Sequence, residues 1–294
     1  MKKIFFILLF FLFCHQSLFT WGFFAHYKIN KMAVFTLPQS MNSFFLNHIH
    51  YLEEKAVDAD KRRYTDENEA SKHYIDIDYY SVDSPFIVMP KNWDDAVNKF
   101  TEDTLLEYGI LPWQIQRQYA LLVNAFRNHQ VENVIRYSSD IGHYLADAHV
   151  PLHTTLNYNG QLTKQEGIHA FWESRLPELF AENYNFILPK VKYVDDVLAF
   201  VWSIIEKSHQ AKDSVLHFEA QLNLSFDSDK KYSIEEKGNS NSKVYSVEYS
   251  QAYHSLLNNM VERQMRSSVY DLGCIWYSAW IDAGQPDIDN WSFK

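Results

Sequence analysis

Apolar positions recur at helical spacing along most of this chain, and only one stretch alternates at the period of a strand. At the start, Lys2 and Lys3 precede the apolar run Ile4 to Phe13. That run is too short to span a bilayer and fits the apolar region of a secretory signal. A cut after Thr20 would leave Trp21 as the new N-terminus and send the chain to the periplasm or the exterior. A rival reading makes Cys14 a lipid-anchored N-terminus, although the bulky Phe13 before it argues against this. Beyond the signal, His26, Ile29, Met32 and Ala33 fall at helical spacing, and Pro38 closes that segment.

A second helix is expected over 41–56. Residues 57–80 start polar and loop-like and then become an aromatic run, and 84–93 carry two prolines and read as an irregular crossing. A weak helical pattern over 92–107 is punctuated by Gly109 and Pro112, and Pro112 suits the first turn of the next helix. The patterns at 113–128, 133–148, 167–183 and 194–217 are helical. Residues 232–249 alternate around Gly238–Ser242 and read as a short β-hairpin or a mobile arm. One or two closing helices are expected over 250–283. No repeat, heptad or low-complexity linker interrupts the chain. The expectation is an all-α fold: a signal peptide at 1–20, then one multi-helix domain at 21–294. Its irregular parts would be a loop at 57–92 and an arm at 222–247.

Composition narrows the chemistry. Of the 294 residues, 47% are hydrophobic and 16% aromatic, enough for a large core. The formal charge is −10, and the loss of Lys2 and Lys3 would leave 25 basic against 37 acidic residues, or −12. Such a surface is a poor electrostatic trap for duplex DNA. It still permits a site in which bound metal supplies the positive charge. After cleavage only Cys274 would remain, so no internal disulfide could form and metal is the better candidate staple.

Ligand-type residues concentrate between His143 and Glu173. His143 and Asp147 stand four apart on one expected helix, and such pairs share a helical face. Pro151 ends or kinks that helix and His153 follows on the turn. His169 and Glu173 repeat the spacing on a second helix. Imidazole nitrogen and carboxylate oxygen are zinc ligands, and catalytic zinc keeps one position open. Two helical pairs and one turn histidine supply most of a two-ion site.

Several segments together resemble a known superfamily. WGFFAH at 21–26, VDADKRR at 57–63, KHYID at 72–76, HYLADAHVPLH at 143–153 and HAFWE at 169–173 occur in the order seen in the zinc-dependent phospholipase C and single-strand-specific (S-one/P-one) nuclease superfamily. The helical tail through WYSAWIDAGQP, 276–286, looks similar too. The resemblance implies an all-helical fold with three zinc ions in a cleft. One ion would take the α-amine and carbonyl of Trp21, His26 and a bridging Asp147. A second would take Asp60, His73, His143 and the same Asp147. The third would take His153, His169 and Glu173, with room for water. The resemblance also implies Asp60 as the group that orients or deprotonates the attacking water, with Arg63 as phosphate clamp and Tyr74 as base-stacking surface.

The residues leave alternatives open. Asp58 competes with Asp60, and Arg62 with Arg63. Tyr74 reads equally as core. His149 lies off the shared face and reads as exposed or as support for a ligand. Asp76 and Asp78 read as structural or supporting, Phe171 and Trp172 as core, and 66–69 as a solvated loop. The leading function is an exported, monomeric phosphodiesterase acting as a single-strand nuclease or 3′-nucleotidase. The short spacing from Trp21 to His26, Arg63 and the DAHVPLH wording are similar to the nuclease branch. Glu173 and the short loop from His153 to His169 look more like phospholipase C, whose substrate would be a phospholipid. A third reading is a zinc-stapled binding protein without turnover.

Overall fold

The computed structural model describes residues 22–237 and 240–291, so Trp21 and the signal expected at 1–20 lie outside the described residues. Six short or medium helices come first: α1 (Phe23–Val34), α2 (Gln39–Asn47), α3 (Ile49–Glu54), α4 (Asp58–Arg62), α5 (Pro85–Val88) and α6 (Trp93–Phe100). The central helices are α7 (Glu102–Tyr108), α8 (Leu111–Arg127), α9 (Val131–Ala148), α10 (Ile168–Ala170) and α11 (Leu176–Phe180). The long α12 (Val197–Ser225), a hairpin of β1 (Tyr232–Lys237) and β2 (Ser240–Tyr245), α13 (Val247–Leu256) and α14 (Met260–Asp282) complete the chain. The fold is all-α, with one short antiparallel sheet.

The molecule is built around α9. Every residue from Ser138 to Ala148 is buried, as expected of a helix surrounded by others. Its neighbours are α1, α3, α8, α12 and α14. Gly142 lets α1 come close: a Cβ there would lie 1.8 Å from Asn30 Oδ1. Asn30 in turn donates to the carbonyls of Leu52 and Ser139, at 3.0 and 3.2 Å. This close approach sets His26 of α1 against His143 of α9, the residue after that glycine.

Two expected helices are broken. The one over 41–56 splits at His48, whose Nδ1 donates to Phe44 O at 2.7 Å and whose backbone leaves the helical region. The one over 92–107 splits at Thr101, which has φ 70 and caps α7 by accepting from Thr104 N. The loop at 57–92 contains α4 and single turns of helix. Between α10 and α11 the helix widens to a π-turn over Phe171–Arg175, so the segment expected as one helix over 167–183 changes its winding beneath Glu173.

The alternating stretch forms the hairpin, paired from Tyr232 opposite Tyr245 to Lys237 opposite Ser240. Tyr245 stacks on Phe171 at 3.8 Å, and Arg175 grips Glu235 with both terminal nitrogens. Among the described residues, no helix is long and apolar enough to cross a membrane.

Candidate metal centre

Four elements converge on Asp147 near the end of α9. α1 brings His26, whose ring stacks on His143 at 4.0 Å and whose Nε2 is 3.5 Å from Asp147 Oδ1. α9 itself brings His143, with Nε2 3.3 Å from Asp147 Oδ2. The turn after Lys72 brings His73 Nδ1 to 2.9 Å from the same oxygen. The turn after Pro151 brings His153 Nε2 to 4.0 Å from Asp147 Oδ1. Asp60 joins from α4, with Oδ1 3.7 Å from His143 Nε2 and 3.9 Å from His73 Nδ1.

A second focus lies beside the first. His153 Nε2, His169 Nε2 and Glu173 Oε2 stand 3.2, 3.3 and 3.0 Å apart. Ligands about 2.0 Å from one tetrahedral ion sit roughly 3.3 Å from one another. These three atoms are therefore spaced as an ion would space them.

The protons are placed by the backbone. His143, His153 and His169 bring Nδ1 to 2.7, 2.6 and 3.0 Å from the carbonyls of Ala56, His73 and Tyr158. A carbonyl has no hydrogen to offer, so each Nδ1 donates and each Nε2 presents a lone pair to the cluster. Burial pulls His26, His73, His143 and His153 below the ordinary imidazole value, and brings His169 down to about 4. Burial pushes Glu173 up to about 8, and raises Asp147 well above the carboxylate range with help from Asp60 and Glu173. Neutral imidazoles and reluctant carboxylates are a ligand set in want of positive charge. Buried atoms carry the same message: both ring nitrogens of His26, Asp147 Oδ1 and Glu173 Oε1 have no hydrogen-bond partner. Among the described residues, three overlapping groups could each hold a metal ion: His26 with Asp60 and His143, His73 with His143 and Asp147, and His153 with His169 and Glu173.

The alternatives open in the sequence are resolved unequally. Asp58 faces Lys61 and Lys55, whereas Asp60 faces the cluster. Arg62 is held by Asp140, Tyr144 and Glu69, which takes it out of competition with Arg63. Arg63 brings Nη1 to 3.8 Å from Asp60 Oδ1. Tyr74 is half-buried, gives its hydroxyl to Glu107 O at 3.1 Å and lies against Gly109, whose φ of 94 suits that turn. His149 is buried rather than exposed, with its nitrogens against Leu145 O and Asp271 at 2.8 and 2.9 Å. Asp78 accepts from the Thr155 hydroxyl and Leu156 N, which ties the turn carrying His153 to the segment after His73. Trp21 lies outside the described residues; its neighbour Gly22 donates its N–H to Glu173 O at 3.3 Å.

The reading of 66–69 as a solvated loop is wrong at Glu69. That residue is 1% exposed, accepts from Tyr144 Oη and sits 3.8 Å from His73 Nε2. Its position four residues before His73 was a usable signal. Tyr158 was also missed: its ring meets His169 edge-on at 6.2 Å and is 36% exposed.

Asp76 gives a test of burial itself. Desolvation, then Asp78, lifts its carboxyl to about 7. A carboxyl raised on folding leaves stability whole below its unfolded value, near 4, and removes it as pH rises toward 7, by about 4 kcal/mol at most. Asp76→Asn should therefore stabilise the protein at pH 8 and leave it unchanged at pH 4, as read from denaturant melts.

No family model matches this chain, and no curated protein matches it.

Proposed function

We propose that this chain is a zinc-dependent phosphodiester hydrolase that is exported and acts on single-stranded nucleic acid or 3′-nucleotides. The observation that carries the reading is the gathering of three overlapping ligand triplets around and beside Asp147, with Arg63 next to Asp60. Nitrogen and oxygen donors suit zinc, and His153, His169 and Glu173 stand at its tetrahedral spacing. Zinc, when bound, supplies Lewis acidity and draws the pKa of water towards ~7. Asp60, His73, His143 and Asp147 would hold one ion and His153, His169 and Glu173 a second, while His26, with a share of Asp147 and the Trp21 amine, would hold a third. Asp60 orients the attacking water and receives its proton. Arg63 binds the phosphoryl oxygens with its planar fork. Tyr158, beside His169, offers a face on which a base can stack. We assign Tyr74 the positioning of the turn that carries His73.

A phospholipase C is the second reading, and one cavity favours it. A space of about 490 Å³ runs beside the ligand helix, lined by Phe23, Phe24, Ala170, Phe171, Tyr232 and Tyr245 among others. Its aromatic wall suits an acyl chain, although Glu166, Arg175, Glu178 and Lys243 also line the space.

Zinc per chain and turnover, measured together, separate the readings. Nucleotide release from single-stranded DNA with three zincs supports the nuclease. Phosphorylcholine release from phosphatidylcholine vesicles without nucleotide release replaces it with the lipase. Zinc with neither activity leaves a stapled binding protein. Arg63→Ala should raise KM for the nucleic acid roughly tenfold or more, the worth of a charged phosphate contact, with zinc content unchanged. Arg62→Ala should instead cost about 3 kcal/mol of stability, because the buried Asp140 loses its cation and Glu69 is left with Lys72 alone.

A further inference from the structure

His73 breaks the rule that the other cluster histidines follow. His143, His153 and His169 each anchor Nδ1 on a backbone carbonyl and present Nε2. His73 presents Nδ1, which lies 2.9 Å from Asp147 Oδ2 and 3.0 Å from His143 Nε2. Its Nε2 points away from the cluster into the interior and has no hydrogen-bond partner. The nearest ionic group to that nitrogen is the buried carboxylate of Glu69, with Oε1 at 3.8 Å.

We infer that Glu69 is a positioning residue that fixes the tautomer and orientation of His73 when metal is bound. A metal-ligating histidine donates its other N–H to a carboxylate or carbonyl, and that partner sets which nitrogen keeps the proton. His73 keeps one proton throughout. Without an ion, Nδ1–H faces Asp147; with an ion on Nδ1, the proton resides on Nε2 and faces Glu69. The present spacing shows why the gap would close. Donors around a tetrahedral zinc stand about 3.3 Å apart, wider than the 2.9 and 3.0 Å found here, so seating an ion widens these gaps, and whatever share the His73 ring takes carries its Nε2 away from the cluster. The carboxylate that this nitrogen meets is Glu69, 3.8 Å away.

Glu69 is built to receive it. The Tyr144 hydroxyl donates to its Oε1, and Arg62 Nε lies 3.4 Å from the same oxygen. Arg62 continues to Asp140 at 3.0 Å and to the Tyr144 hydroxyl at 3.2 Å. Lys72, one residue before His73, holds the other oxygen of Glu69. A buried carboxylate costs several kcal/mol unless it is paired, and this network supplies the pairing. Tyr144 and His143 are successive residues of α9, so the ligand helix itself steadies the carboxylate behind the ligand turn.

The inference rests on the metal-site reading and is independent of the substrate. The test uses full-length protein loaded with zinc and labelled with ¹⁵N at histidine. Nitrogen shifts report the tautomer of His73, and release to a chromogenic chelator reports each ion. In wild type, His73 should show the Nε2–H pattern. Glu69→Ala should release one ion about 10–100-fold faster, with the other ions at wild-type rates. Glu69→Gln, whose amide oxygen still accepts a proton, should recover part of the loss. Tyr144→Phe removes only the hydroxyl that holds Glu69, and should speed release of the same ion several-fold even if Glu69→Ala does not fold. An Nδ1–H pattern in zinc-loaded wild type overturns the inference. So does unchanged release in Tyr144→Phe, or an equal acceleration of all ions in Glu69→Ala. None of these readouts involves turnover, so they stand or fall apart from the hydrolase reading.

Discussion

Asp147→Asn should bind one zinc per chain instead of three and lose hydrolytic turnover by about a thousandfold or more. Both oxygens of Asp147 face imidazoles of the first focus, at 2.9 Å from His73, 3.3 Å from His143 and 3.5 Å from His26. An amide keeps the shape but surrenders the charge and half of the acceptor capacity. His153, His169 and Glu173 make their triplet without it, so one ion should stay. The metal-free proteins should behave in the opposite sense. Asp147 is fully buried and its ionisation is opposed by desolvation, Asp60 and Glu173. The asparagine variant should therefore be the more stable when both are stripped of metal at neutral pH. Elemental analysis reads the first effect and paired melts read the second. Three zincs on the variant would remove Asp147 from the centre of the site.

Chelation should have the larger effect on stability. An ion bound a thousandfold above its Kd adds about 4 kcal/mol, and in a domain near this size each kcal/mol moves Tm by about 2–4 °C. Three ions would thus be worth well over 10 °C by that arithmetic, although binding to the unfolded chain would reduce it. Excess EDTA should lower Tm by about 10 °C or more, and added zinc should restore it. A protein whose Tm ignores the chelator would have a cluster that folds without its metal, and the proposed chemistry would then lack its Lewis acid.

The sequence carried the helices and the ligand spacings well because both are local. The periodicity over 113–128 and 133–148 marks α8 and α9, and the i, i+4 pairs His143–Asp147 and His169–Glu173 meet at 3.3 and 3.0 Å. What it did not carry depends on distant partners. Glu69 looked solvated because its neighbours at 66–68 are polar, yet its partners Tyr144 and Arg62 bury it. Arg62 and Arg63 are indistinguishable in sequence; one turn of α4 sends the first to Asp140 and leaves the second beside Asp60. The break at His48 follows from a side chain bonding back to the preceding turn, a competition that periodicity does not register.

The pairing of α1 with α14 has a consequence for how the protein is made. His26 is synthesised first among the cluster histidines, but the surface that holds its helix is completed only by residues 260–282. Glu173 waits similarly, since the helix that carries it is strapped through Arg175 to Glu235. Contacts that span so much chain form late and slowly. A nascent chain leaving the ribosome would therefore display scattered imidazoles long before it owned a cage, with little grip on whatever cation it met first. Metal selection would belong to the compartment in which the last helix docks.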